Sequence, residues 1–89
     1  MIVTHEKDTH RFTMEINGEI AKVEYQLKEG KMYLTYSEVP YPLRGKGYGK
    51  ILVEQTFEQL TKEGYTAKAV CSYIRAVAQR SEKWNAIIE

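Results

Sequence analysis

The chain has 89 residues, 43% of them hydrophobic and 28% charged, with a formal net charge of +1. That length suits one domain with a small core, and that composition excludes a disordered or fibrous chain. The balanced charge gives no electrostatic reason to expect nucleic acid as a partner, and the single cysteine, Cys71, excludes both an internal disulfide and a zinc site built from thiolates.

From Met1 to Asp8 the chain lacks the basic-then-apolar layout of a secretory signal, and no apolar run is long enough to cross a membrane. A reducing, cytoplasmic compartment is therefore the expectation, with neither nucleic acid nor membrane as partner. His5 and His10 stand among Glu6, Asp8 and Thr9, but nothing nearby completes a metal shell. They are expected to be solvated polar residues at a chain end.

The first forty residues read as strands. Phe12, Met14 and Ile16 alternate with polar neighbours, and Asn17-Gly18 supplies the pair that a tight hairpin turn prefers. Ala21, Val23, Tyr25 and Leu27 alternate again up to Glu29-Gly30, and Met32, Leu34 and Tyr36 alternate a third time before Val39-Pro40. The period then changes. From Tyr48 onward, Leu52, Val53, Phe57 and Leu60 recur at helical spacing, with Glu54, Glu58, Lys62 and Glu63 on the other side. A short strand is expected over Thr66–Cys71, and a further helix over Ile74–Trp84 with Trp84 closing the core. The expected class is α+β, one domain over residues 1–89 in the order β-β-β-α-β-α. That is an antiparallel meander followed by a helix, a parallel strand and a C-terminal helix.

The stretch Arg44-Gly45-Lys46-Gly47-Tyr48-Gly49 joins a strand to an amphipathic helix. The first turn of a helix carries N–H groups without intrahelical partners, and the macrodipole adds partial positive charge there. A phosphate at that end is stabilised by both. Glycines admit its close approach, and Arg44 and Lys46 add charge at the mouth. Three alternating glycines are also common loop punctuation, so spacing alone leaves a simple turn open. Two other phosphate loops fail on the sequence. Gly49-Lys50 is followed by Ile51 where a Walker loop needs Ser or Thr, and the position three after Gly47 is Lys50 where a dinucleotide turn needs Gly.

Arg44, Gly47 and Gly49 fall on the defining positions of the R/Q-x-x-G-x-G/A signature, so this stretch resembles the GNAT superfamily of N-acetyltransferases. Tyr36-Ser37-Glu38-Val39-Pro40 resembles the end of that family's central strand. Val70-Cys71-Ser72-Tyr73 is similar to the Cys-Ser-Tyr of the small stand-alone GNAT-like proteins. The resemblance spans Tyr33 to Arg80 and implies a minimal GNAT-like fold with acetyl-CoA or a related acyl-CoA as cofactor. It implies that the pyrophosphate rests on the amides of Arg44, Gly45, Lys46, Gly47, Tyr48, Gly49 and Lys50. The pantetheine arm would pair alongside Glu38 and Val39, where the central strand parts from the next one. It further implies Val39 N–H as an oxyanion donor and Tyr73 as the acid that protonates the departing sulfur.

Acetyl transfer needs a base, an oxyanion site and a proton for the leaving thiolate. Glu38 is the best-placed carboxylate to act as base, although a solvated strand-end charge would look the same. Cys71 reads either as a small buried hydrophobe or as a thiol activated by a helix start, able to take the acyl group covalently. Two features depart from the family. The Asn17-Gly18 hairpin stands where larger members carry two helices that shape the acceptor pocket, and Arg80-Ser81 stands where small relatives carry His-Pro. The expected activity is acyl-CoA-dependent transfer of an acetyl group to an unidentified amine, with a protein amine among the candidates. The alternatives are a non-catalytic CoA or acyl-CoA binding module and a structural protein with an empty glycine turn.

Overall fold

The computed structural model describes residues 2–89. Five strands form one mixed sheet in sequence order: β1 (Thr4–Glu6), β2 (Arg11–Ile16), β3 (Glu19–Lys28), β4 (Lys31–Glu38) and β5 (Thr66–Ala69). The first four pair antiparallel, and β5 joins β4 in parallel after crossing over through α1 (Tyr48–Lys62). Two short helices follow, α2 (Ser72–Gln79) and α3 (Glu82–Ile87). The α+β class expected from the sequence holds, with one strand and one helix more than the periodicity separated.

The meander forms where the turn chemistry demands it. Asn17 and Gly18 both have positive φ, at 52° and 78°, the twist that a two-residue hairpin loop requires. The alternating residues Phe12, Met14, Ala21, Val23, Tyr25, Met32 and Leu34 then bury one face of the sheet. Helix α1 covers that face with Leu52, Val53, Phe57 and Leu60, and α2 adds Ile74, Val77 and Ala78. Trp84 of α3 closes the core, its ring centroid 5.4 Å from that of Phe57. Among the described residues, no helix is long and apolar enough to cross a membrane.

Three local expectations change. The segment around His5 is not a solvated chain end. The His5 side chain is 5% exposed, its ring stacks on Phe12 with centroids 4.2 Å apart, and β1 pairs with β2. The expected helix over Ile74–Trp84 is divided, because the Ser81 hydroxyl accepts the Trp84 N–H at 3.2 Å and starts a new helix. Along β4 the alternation fails after Leu34. The register slips between Glu24 and Tyr25, so Tyr25 faces Leu34 while Glu24 faces Tyr36 and Val23 faces Ser37. Thr35 is the extra residue of this β-bulge. Tyr36 accordingly turns outward and is exposed, while Ser37 joins Leu34 on the covered face.

Candidate active site

The bulge and a parting of two strands build the site. The β4–β5 ladder ends at Leu34 opposite Ala69, yet β4 continues through Thr35, Tyr36, Ser37 and Glu38. The N–H groups of Val70 and Cys71 both donate to the Leu34 carbonyl at 3.0 Å, and the chain turns away there into α2. The last residues of β4 thus lose their β5 neighbour. A groove of about 470 Å³ opens along them. Tyr36, Ser37, Glu38 and Val39 form one wall; Arg44, Gly45, Gly47, Tyr48 and Gly49 form the other; Leu43, Leu52 and Tyr73 complete it.

Gly47 precedes α1 with φ 82°, a left-handed conformation that favours glycine, and it offers no capping side chain to the helix's free N–H groups. A Cβ at Gly45 or Gly47 would meet nothing within 4 Å. Both residues line the groove, so their bare backbone leaves room for a ligand oxygen to reach the amides. Arg44 does two things at once. Its Nε donates to the Val39 carbonyl at 2.8 Å, and its guanidinium lies 5.9 Å from the Tyr41 ring centroid, which ties the loop to the end of β4. The residues present therefore fit a phosphate-bearing acyl-CoA. Polar donors stand at the helix end, and an unpaired strand edge offers backbone groups to an amide-containing arm.

Gly49 has a different reason to be glycine. A Cβ there would lie 2.7 Å from the Tyr73 hydroxyl oxygen. The Tyr73 ring reaches from the start of α2 across to the first turn of α1, and any side chain at position 49 would require that ring to shift.

Glu38 lies on the groove wall, and it faces the open side of the sheet because its cross-strand partner Lys22 neighbours the buried Val23. The Lys22 ammonium stands 3.0 Å from Glu24 and 4.0 Å from Glu38, and 5.9 Å from the Tyr36 ring centroid. Hydrogen bonding from Lys22 to Glu24 and their opposite charges raise the Lys22 pKa, which keeps it cationic.

Cys71 does not line the groove. It precedes α2 as the capping residue, and Ser37 stands between its sulfur and the groove, with Sγ and Oγ 3.6 Å apart. Burial pushes the thiol pKa up, but the N–H groups of Ile74 and Tyr73 and both the hydroxyl and backbone of Ser37 outweigh it, so the net direction is down. These are donors arranged for a thiolate. Lys46 and Lys50 also stand off the groove wall, and Lys50 faces a smaller depression beyond Tyr73.

The residues Ser37, Tyr36, Leu43 and Leu52 belong to the site without having been singled out from the sequence. Ser37 carried no signal, since simple alternation from Leu34 points it away from Cys71.

No curated protein matches the chain. A family model described as GCN5-related N-acetyl-transferase matches residues 11–87, from the first residue of β2 to the last of α3. With the glycine loop opening α1, and β4 parting from β5 beside it, the chain belongs to the GCN5-related N-acetyltransferase family, whose chemistry is transfer of an acyl group from an acyl-CoA to an amine.

Proposed function

We propose that the protein is an acetyl-CoA-dependent N-acetyltransferase acting on an amine presented at the open face of the sheet. The observation that carries this reading is the single groove joining the glycine loop to the free edge of β4, with Glu38 on its wall. The amides from Gly45 to Gly49 and the Arg44 guanidinium bind and neutralise the phosphates. The free edge at Glu38 and Val39 orients the pantetheine arm by backbone pairing, and Leu43 and Leu52 exclude water beside it. When bound, acetyl-CoA supplies the acyl group as a thioester. Glu38 takes a proton from the acceptor ammonium, and the freed amine then attacks the thioester carbonyl to form the N–C bond. The Val39 N–H stabilises the oxyanion, and Tyr73 donates the proton that the departing thiolate needs.

A second reading rests on the donors around the Cys71 sulfur. The thiolate attacks the thioester carbonyl, the C–S bond to CoA breaks, and CoA leaves as its thiol with a proton from Tyr73. The amine then displaces the acyl group and restores the Cys71 thiol. Incubation with acetyl-CoA and a lysine-containing peptide, followed by intact mass and assay of free CoA, separates the outcomes. Peptide-dependent CoA release with unmodified protein supports direct transfer. A mass gain on Cys71 that the peptide discharges supports the covalent route. Binding of acetyl-CoA with no release makes the domain a binding module and overturns both.

A further inference from the structure

Beyond Tyr73 lies a second depression, of about 160 Å³, in the cleft between α1 and α2. Lys50 and Glu54 of α1 line one side; Val77 of α2 and the Arg80 and Ser81 that follow that helix line the other. Tyr73 is shared with the groove, so the two cavities meet at its ring. Most cations of this protein are committed elsewhere. Lys7, Arg11, Lys22, Lys31 and Lys83 pair with carboxylates, and Arg44 and Arg75 donate to backbone carbonyls. Lys50 and Arg80 have no ion pair among the described residues, yet they come from separate helices to one depression. Ser81 adds a donor, because its oxygen accepts the Trp84 N–H and its own O–H remains to be given. Glu54, one turn along from Lys50, offsets part of this charge and leaves the depression net positive.

We infer that Lys50, Arg80 and Ser81 form a second anion subsite, shaped for a terminal phosphate monoester. Its occupant is the 3′-phosphate on the ribose of CoA when the pyrophosphate lies at the glycine loop. The inference rests on the acyl-CoA reading of the groove and goes past it, because nothing in the glycine loop distinguishes CoA from the same molecule lacking that phosphate. It also gives the departure at Arg80-Ser81 a purpose: both residues of that pair face the subsite. Two cations and a hydroxyl suit a dianionic monoester, whose three free oxygens take several charge-assisted bonds at once.

The test is the affinity of the intact protein for CoA and for 3′-dephospho-CoA, by calorimetry at one fixed ionic strength. The wild type should bind CoA about tenfold more tightly or better, as one or two charge-assisted contacts would give. In Lys50→Gln/Arg80→Gln that ratio should fall close to one, while affinity for 3′-dephospho-CoA stays at the wild-type value. The retained dephospho-CoA affinity shows that the variant is folded with its groove intact. Lys62→Gln, which removes a cation at the far end of α1, should leave the ratio unchanged. Equal wild-type affinities for the two ligands overturn the subsite, and so does a ratio that survives in the double variant or collapses equally in Lys62→Gln. Binding of neither ligand by the wild type overturns the acyl-CoA reading itself.

Discussion

The hydroxyl of Tyr73 occupies the space where any side chain on Gly49 would begin, 2.7 Å from the position of its Cβ. Two helices are thereby keyed together at their first turns, and the phenol is held at the junction of the groove and the depression beyond it. Alanine at a helical position is ordinarily better than glycine by about 1 kcal/mol. At position 49 the sign should reverse. Gly49→Ala should destabilise the wild type, yet stabilise the Tyr73→Ala background by about 1 kcal/mol, and denaturant unfolding of the four proteins of this cycle measures the coupling. Additive effects would show that the ring moves aside at no cost.

The Cys71 sulfur faces more donors than a surface thiol does, so its alkylation by iodoacetamide should follow a thiolate that forms below the usual thiol range. Ser37→Ala removes one of those donors and should move the midpoint of the rate profile upward. A midpoint at or above the ordinary thiol value in the wild type would make Cys71 a packing residue and leave direct transfer as the mechanism.

Arg44 links loop to strand through the Val39 carbonyl. Arg44→Ala should weaken CoA binding by about 1.5–3 kcal/mol, the scale of one charge-assisted contact, with little loss of stability from a side chain so exposed. Gly47→Ala should act on both quantities. A residue with a Cβ at φ 82° costs roughly 1–2 kcal/mol of folding free energy, and the methyl is added to a residue that lines the groove. Calorimetric titration beside thermal unfolding separates the two variants.

At the opposite end of the sheet, the carboxylate of Glu63 lies 2.9 Å from Nδ1 of His5, and Nε2 of His5 lies 2.7 Å from the Tyr25 hydroxyl. A carboxylate only accepts, so Nδ1 carries the proton, and in the neutral ring Nε2 takes the hydrogen bond from Tyr25. Burial raises the Glu63 pKa, but hydrogen bonds from Gln59 and His5 and the nearby charges outweigh it, so the folded value lies below the ordinary one. A depressed carboxyl contributes stability that is complete above its unfolded pKa and is lost as pH falls through the folded value. Glu63→Gln should therefore cost about 1 kcal/mol near pH 7, and the gap to wild type should close in acid. Unfolding midpoints measured between pH 7 and 3 give the comparison.

The sequence made the helix faces and hairpins legible because each is written locally. Leu52, Val53, Phe57 and Leu60 repeat at helical spacing, and Asn17-Gly18 names its own turn. The glycine loop was legible for the same reason, although the contact of Gly49 with a ring twenty-four residues away was not. What stayed hidden depends on partners distant in sequence. The burial of His5 requires Phe12, Tyr25 and Glu63 to converge from three elements. The break at Ser81 depended on a cap competing with continued helix. Cys71 and Ser37 meet only because of an irregularity in pairing between β3 and β4, which no periodicity records.

That irregularity divides the labour of neighbouring residues. With Thr35 as the odd residue, Ser37 is delivered to the sulfur beneath the sheet and Glu38 to the open face beside the groove. Pairing Thr35 regularly with Glu24 would restore simple pleating over the whole strand and exchange their sides: the Glu38 carboxylate would be driven toward the core beside the thiol, and the Ser37 hydroxyl would turn to the open face. One residue's length of register is thus the difference between a carboxylate on the open face and a carboxylate turned into the core.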